Sequence, residues 1–82
     1  MSREERLMAK GAMVEKKRRI RELETELAGL RVVIRDCVSP FKELDDIDAD
    51  LLCLSSERMK ACKAELQTAK SDLRRLEDEW GD

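Results

Sequence analysis

The sequence predicts an all-α fold: a long antiparallel helical hairpin of the coiled-coil type, which dimerises into a four-helix bundle. Three observations lead to this prediction. Charged residues make up 44% of the 82-residue chain and aromatic residues only 2%, and Ala, Leu, Glu, Lys and Arg dominate, as in long helices. Apolar residues recur at steps of three and four in both halves of the chain. A single proline, Pro40, lies near the midpoint.

The first helix is predicted over about residues 3–38. Ser2 and Glu5 match a capping box, in which each side chain satisfies a backbone amide at the start of a helix. Further along, apolar residues fill successive heptad a and d positions, which face a partner helix. This series consists of Ile20, Leu23, Leu27, Leu30, Ile34 and Cys37.

Pro40 separates the two helices. A residue that precedes proline avoids the helical conformation, and proline inside a helix costs about 3 kcal/mol, but at the first helical position it costs almost nothing. We therefore predict a turn over about residues 38–41, or as far as 45, and a second helix over about residues 41–80 with Ser39 as its N-cap. Residues 1–82 then form one domain. The alternative is a kinked helix in a parallel rod-shaped dimer, which is favoured by weak exposed ion pairs and by the absence of a Gly at the end of the first helix.

The second helix carries its own apolar series with one irregularity. Leu51 and Leu54 are followed by a four-plus-four step through Arg58, which predicts a stutter that locally unwinds the supercoil. Antiparallel pairing of the two series brings Arg19 towards Glu65. The predicted core consists of Ile20, Leu23, Leu27, Leu30, Ile34, Leu51, Leu54, Leu66, Leu73 and Leu76.

Additional apolar residues lie beside both series near the turn. Two helices cannot cover these extra faces, so the pattern predicts a second copy of the chain packed against the half nearest the turn. The candidate interface residues are Leu27, Leu30, Val33, Ile34, Val38, Leu51, Leu52 and Leu54. A different helical protein is the alternative partner for the same surface.

Catalytic, metal and membrane chemistry have little support in the sequence. The chain contains no His, no Gly-rich phosphate loop and no nucleophile beside a base, so we predict no enzyme activity, no cofactor and no small-molecule substrate. Residues 46–57 imitate a calcium-binding loop, but Leu51 stands where that loop requires Gly. The three cysteines fit no zinc pattern, and no apolar run is long enough for a membrane span or a secretory signal. These features predict a reducing, cytoplasmic location without bound metal.

One basic run precedes the heptads. It contains Lys16, Lys17, Arg18, Arg19 and Arg21. Clustered positive charge is sufficient for contacts with phosphates, so one functional alternative is a small helical dimer that binds nucleic acid through this run. Flanking acids and a net charge of −2 favour a solvated helix face instead. The predicted function is therefore a non-enzymatic coiled-coil scaffold or adaptor that acts through helix–helix association.

Overall fold

Two long helices and an irregular connection make up the structure. The computed structural model describes residues 2 to 81, with α1 at Arg3–Cys37, a short 3-10 helix at Leu44–Asp46 and α2 at Ala49–Trp80. The two long helices pack against each other antiparallel, and the molecule measures 63 × 15 × 15 Å. The predicted all-α hairpin is confirmed. The alternative prediction of a kinked continuous helix is wrong, because the chain reverses direction between α1 and α2.

The start of α1 is the predicted one. The Ser2 hydroxyl accepts a hydrogen bond from the amide of Glu5 at 3.1 Å, and Glu4 and Glu5 lie in the first turn, where the helix dipole favours acids. At the other end, the amide of Val38 donates to the carbonyl of Ile34 at 3.3 Å and closes the helix. The first helix therefore follows from local capping chemistry.

The start of α2 differs from the prediction by eight residues. Ser39 does not cap a helix, because its hydroxyl accepts from the amide of Phe41 at 3.3 Å in a tight turn. Asp48 is the N-cap instead, and its carboxylate accepts from the amide of Leu51 at 2.9 Å. A carboxylate satisfies both the free amide and the positive end of the dipole, which a serine hydroxyl does less well. Pro40 consequently lies in the connection of residues 38–48 and not at the first position of α2.

The core of α2 near the turn also differs from the prediction. Leu51 and Leu54 were assigned to the core, but they are 42% and 65% exposed. The buried position there is Ser55, which is 5% exposed, and Met59 follows it half-buried. An uninterrupted heptad, extended backwards from the C-terminal half of α2, reaches these residues without any stutter. The regular phase of the long helix thus outweighs the preference of two leucines for burial.

The two heptad layers between the helices differ in side-chain size and burial. Five of the nine d-layer side chains are small and buried, and Lys16, Leu30 and Leu76 of the same layer are half-buried. The a layer contains large side chains that are mostly half-buried. The buried d-layer residues are Ala9, Leu23, Cys37, Ser55, Cys62 and Ala69. The half-buried a-layer residues are Met13, Leu27, Ile34, Leu52, Met59, Leu66, Leu73 and Trp80, and Ile20 alone in this layer is buried. Of the remaining predicted core, Leu30 and Leu76 are half-buried.

Candidate interaction surfaces

Six of the nine exposed large apolar side chains among residues 2–81 lie at the end of the hairpin that carries the connection, and Leu7, Met8 and Val14 lie near the other end. We call the group of six the turn-end patch and define it as Val32, Val38, Phe41, Leu44, Leu51 and Leu54. These side chains range from 42% to 95% exposed, and they come from α1, the connection and α2. Large apolar side chains gathered in this way at one end of a molecule are typical of a surface that another protein covers.

The structure divides the predicted interface residues into two groups. Leu27, Leu30, Val33, Ile34 and Leu52 are half-buried. The other three, Val38, Leu51 and Leu54, are exposed and belong to the turn-end patch. The second group is the more exposed of the two.

Three residues of the turn-end patch, Val32, Phe41 and Leu44, are not among the predicted interface residues. Phe41 and Leu44 are 95% and 87% exposed, the highest values among the large apolar side chains of the described residues. The predicted second helix, over about residues 41–80, included both Phe41 and Leu44. Their location in an irregular connection depends on where α2 begins, and the capping capacity of Asp48 was the signal that could have placed that start correctly.

One long side of the hairpin is joined by ion pairs between α1 and α2, and we call it the ion-paired face. Arg19 contacts Glu65 at 2.9 Å, as predicted, and Arg58 contacts Glu26 at 2.8 Å. Nearer the open end, Lys16 contacts Asp72 at 3.3 Å. These contacts fix the register of the two helices on this side, although exposed pairs of this kind contribute little to stability.

A buried thiol belongs to the same face. The Cys62 thiol donates a hydrogen bond to the carboxylate of Glu26, which also accepts from Arg58. The thiol and then the guanidinium lower the pKa of Glu26, since both hydrogen bonds favour the charged carboxylate. The same hydrogen bond, together with burial, raises the pKa of Cys62. The arrangement therefore holds a neutral thiol beside a charged carboxylate, which is the opposite of what a nucleophilic cysteine requires.

The predicted nucleic-acid residues do not form a single surface. Lys16 and Arg19 pair with acids of α2, and Arg18 pairs with Glu15 and Glu22 of its own helix. The other two, Lys17 and Arg21, lie on the opposite side of α1, where they line a groove with Ile20 and Leu73. The run that is continuous in sequence is thus split between two faces.

This second long side carries three shallow grooves between α1 and α2, and we call it the groove face. One groove is lined by Glu24, Leu27, Ala28, Arg31, Met59 and Leu66. The next contains Lys17 and Arg21 as described, and the third, at the open end, is lined by Lys10, Met13, Val14, Lys17, Trp80 and Gly81. Large a-layer side chains form the floor of all three grooves.

Other kinds of site have little basis in the structure. Among residues 2–81, no group of three or more His, Cys, Asp or Glu side chains is arranged to hold a metal ion. None of the helices in that part of the chain combines the length and the apolar character needed to cross a membrane.

The chain matches no protein-family model, and it shows no significant similarity to a curated protein or a solved structure.

Proposed function

We propose that the protein is a non-catalytic scaffold or adaptor that acts through helix–helix association, and that a second copy of the chain covers its turn-end patch. The observation that carries the proposal is the patch itself, in which both helices and the connection expose large apolar side chains. Two hairpins packed side by side over the half nearest the turn would form a four-helix bundle there, with each copy supplying the same residues across a twofold axis.

The small size of the core supports association. Within residues 2–81, only seven side chains are buried, and five of these are the small side chains of Ala, Ser or Cys. A chain of this length has little apolar surface to bury by itself, so a second copy would supply much of the missing burial. Covering Phe41, which is 95% exposed, contributes about 1.5–3 kcal/mol when burial is complete, and covering Leu54, which is 65% exposed, contributes about two-thirds as much.

The molecular mass in solution tests the proposal. Sedimentation equilibrium should give twice the chain mass of 9.5 kDa, and dilution should shift the mass towards that of one chain. Leu54→Glu should shift the equilibrium towards the single chain, because the new charge would be desolvated in the contact. Met8→Glu is the matched control, since Met8 is 75% exposed at the other end of the molecule.

Two results would contradict the proposal. One is a single-chain mass at every accessible concentration. The other is an equal loss of association in Leu54→Glu and Met8→Glu, which would place the contact elsewhere or make it a general effect of charge.

A further inference from the structure

The two long sides of the hairpin differ in whether their positive charges are paired with acids of the same chain. On the groove face, exposed basic side chains lie along both helices. Two acids, Glu24 and Glu77, occupy the same heptad positions as these basic residues. The basic residues are Lys10, Lys17, Arg21 and Arg31, which line the grooves, and Lys63 and Lys70, which the heptad phase of α2 places on the same side. None of these six takes part in an ion pair within residues 2–81.

On the ion-paired face, by contrast, positive charge is neutralised within the chain. Arg19 and Arg58 are held by Glu65 and Glu26 across the helices. The net charge of −2 for the whole chain therefore conceals one face with unpaired positive charge. Such a face attracts an acidic partner and accelerates its association.

The apolar floor of the groove face is incompletely covered. Leu27, Met59, Leu66 and Leu73 are half-buried, although each belongs to the a layer between the helices. The physical reason is the difference in size between the layers. Small d-layer side chains allow the helices to close on the ion-paired face, whereas the large a-layer side chains project towards the groove face and remain partly exposed. A third helix laid along this furrow would complete their burial.

We propose that the groove face binds an acidic amphipathic helix, which completes a three-helix bundle with α1 and α2. The apolar stripe of that helix would contact the a-layer floor, and Glu or Asp beside the stripe would meet the basic rims. The proposal deepens the proposed function by giving the chemistry of a partner, and it uses a surface distinct from the turn-end patch.

Three other occupants fit the groove face less well. A second copy placed symmetrically would bring identical basic rims together, and like charges in contact disfavour association. A bilayer requires apolar side chains that protrude, whereas this floor is recessed between two helices. Nucleic acid would match the rims, but the floor offers Trp80 as its one aromatic side chain for stacking on bases.

Binding of designed peptides tests the proposal. The probe is a fluorescent helical peptide of about four heptads with Leu at a and d and Glu at e and g, and the control peptide has Lys at e and g. Fluorescence anisotropy should show that the Glu peptide binds at least about tenfold more tightly than the Lys peptide, and that added salt weakens its binding. Equal affinity for the two peptides, or no binding of the Glu peptide at low salt, would overturn the proposal.

Charge reversal in the protein locates the site. The variant Lys17→Glu/Lys63→Glu/Lys70→Glu should reverse the preference and select the Lys peptide. The control variant changes net charge equally but lies off the groove face, and it should still prefer the Glu peptide. It consists of Arg18→Glu, Lys42→Glu and Arg75→Glu, which lie on the outer side of α1, in the connection and on the outer side of α2. An equal loss of Glu-peptide binding in both variants would contradict the assignment of the surface.

Two further measurements separate this proposal from its competitors. Anionic lipid vesicles or a single-stranded oligonucleotide that bind the protein while the Glu peptide does not would overturn it in favour of a membrane or nucleic-acid partner. The mass of the groove-face variant should remain that of the unmodified protein, because the turn-end patch is unchanged. Failure of the peptide experiment and failure of the homodimer are therefore distinguishable.

Discussion

Replacement of Leu23 by Ala should unfold the hairpin at a much lower urea concentration, whereas the same replacement of Leu54 should have little effect in a single chain. Leu23 is fully buried and Leu54 is 65% exposed. Removal of a buried leucine side chain costs about 2–5 kcal/mol, and the lower half of this range applies where two helices can close over the cavity. The expected loss is therefore about 2–3 kcal/mol for Leu23→Ala.

Leu54→Ala should cost less than about 1 kcal/mol, because about a third of the side chain is buried and the transfer free energy of a whole leucine is about 1.5–3 kcal/mol. The slightly higher helix propensity of Ala offsets part of even this loss. In thermal melts the Leu23 variant should lose about 10–20 °C, at about 4–8 °C per kcal/mol for a domain of this size.

The assay is far-UV circular dichroism in urea, with protein diluted until sedimentation shows single chains. Dilution is necessary because a second copy would cover Leu54 and add to its apparent contribution. If Leu54→Ala destabilises the single chain as much as Leu23→Ala does, then α2 has a different heptad phase near the turn and the register described above is wrong.

Three further predictions concern the cap, the carboxylate and the exposed thiol. Asp48→Ala should cost about 1 kcal/mol in urea unfolding, because Asp48 caps α2, whereas Ser39→Ala should cost clearly less; the reverse order would place the start of α2 at the proline. Since the folded-state pKa of Glu26 is lowered, its stabilisation is present above the ordinary carboxyl pKa of 4.5 and is lost as the pH falls through the lowered value. Glu26→Gln should therefore flatten the acid side of a profile of urea midpoint against pH; a profile identical to that of the unmodified protein would contradict the role of that carboxylate. Cys53 is exposed, so a maleimide should label it rapidly while the two buried thiols react only on unfolding, and Cys53→Ser should remove the fast phase; a fast phase that persists would show that a buried thiol is accessible.

Local sequence signals were sufficient for part of the fold. The capping box at Ser2 and the heptads of α1 predicted the first helix, and the central proline predicted that the chain turns back. Antiparallel pairing even placed Arg19 beside Glu65. These features depend on residues close in sequence or on a pairing that leaves few choices, which explains why a single sequence was enough.

The candidate interaction surfaces depend on information that the linear sequence does not display. The heptad phase near Leu54 is imposed by the whole length of α2, so two exposed leucines resembled core residues. The basic groove face combines Lys17 with Lys70, which are far apart in sequence and share a side only once the register is known. The residues of the basic run lie on different sides of α1 for a related reason, since neighbouring residues along a helix point in different directions.

The reversal of the chain gives the molecule a mechanical asymmetry. Lys10, Trp80 and Gly81 line one groove at the open end, so the beginning of α1 and the end of α2 lie together there, while the connection lies at the far end of a body 63 Å long. A protein fused before α1 and one fused after α2 would both be attached at the open end of the hairpin. The hairpin would then hold the turn-end patch about 60 Å away from the attached protein.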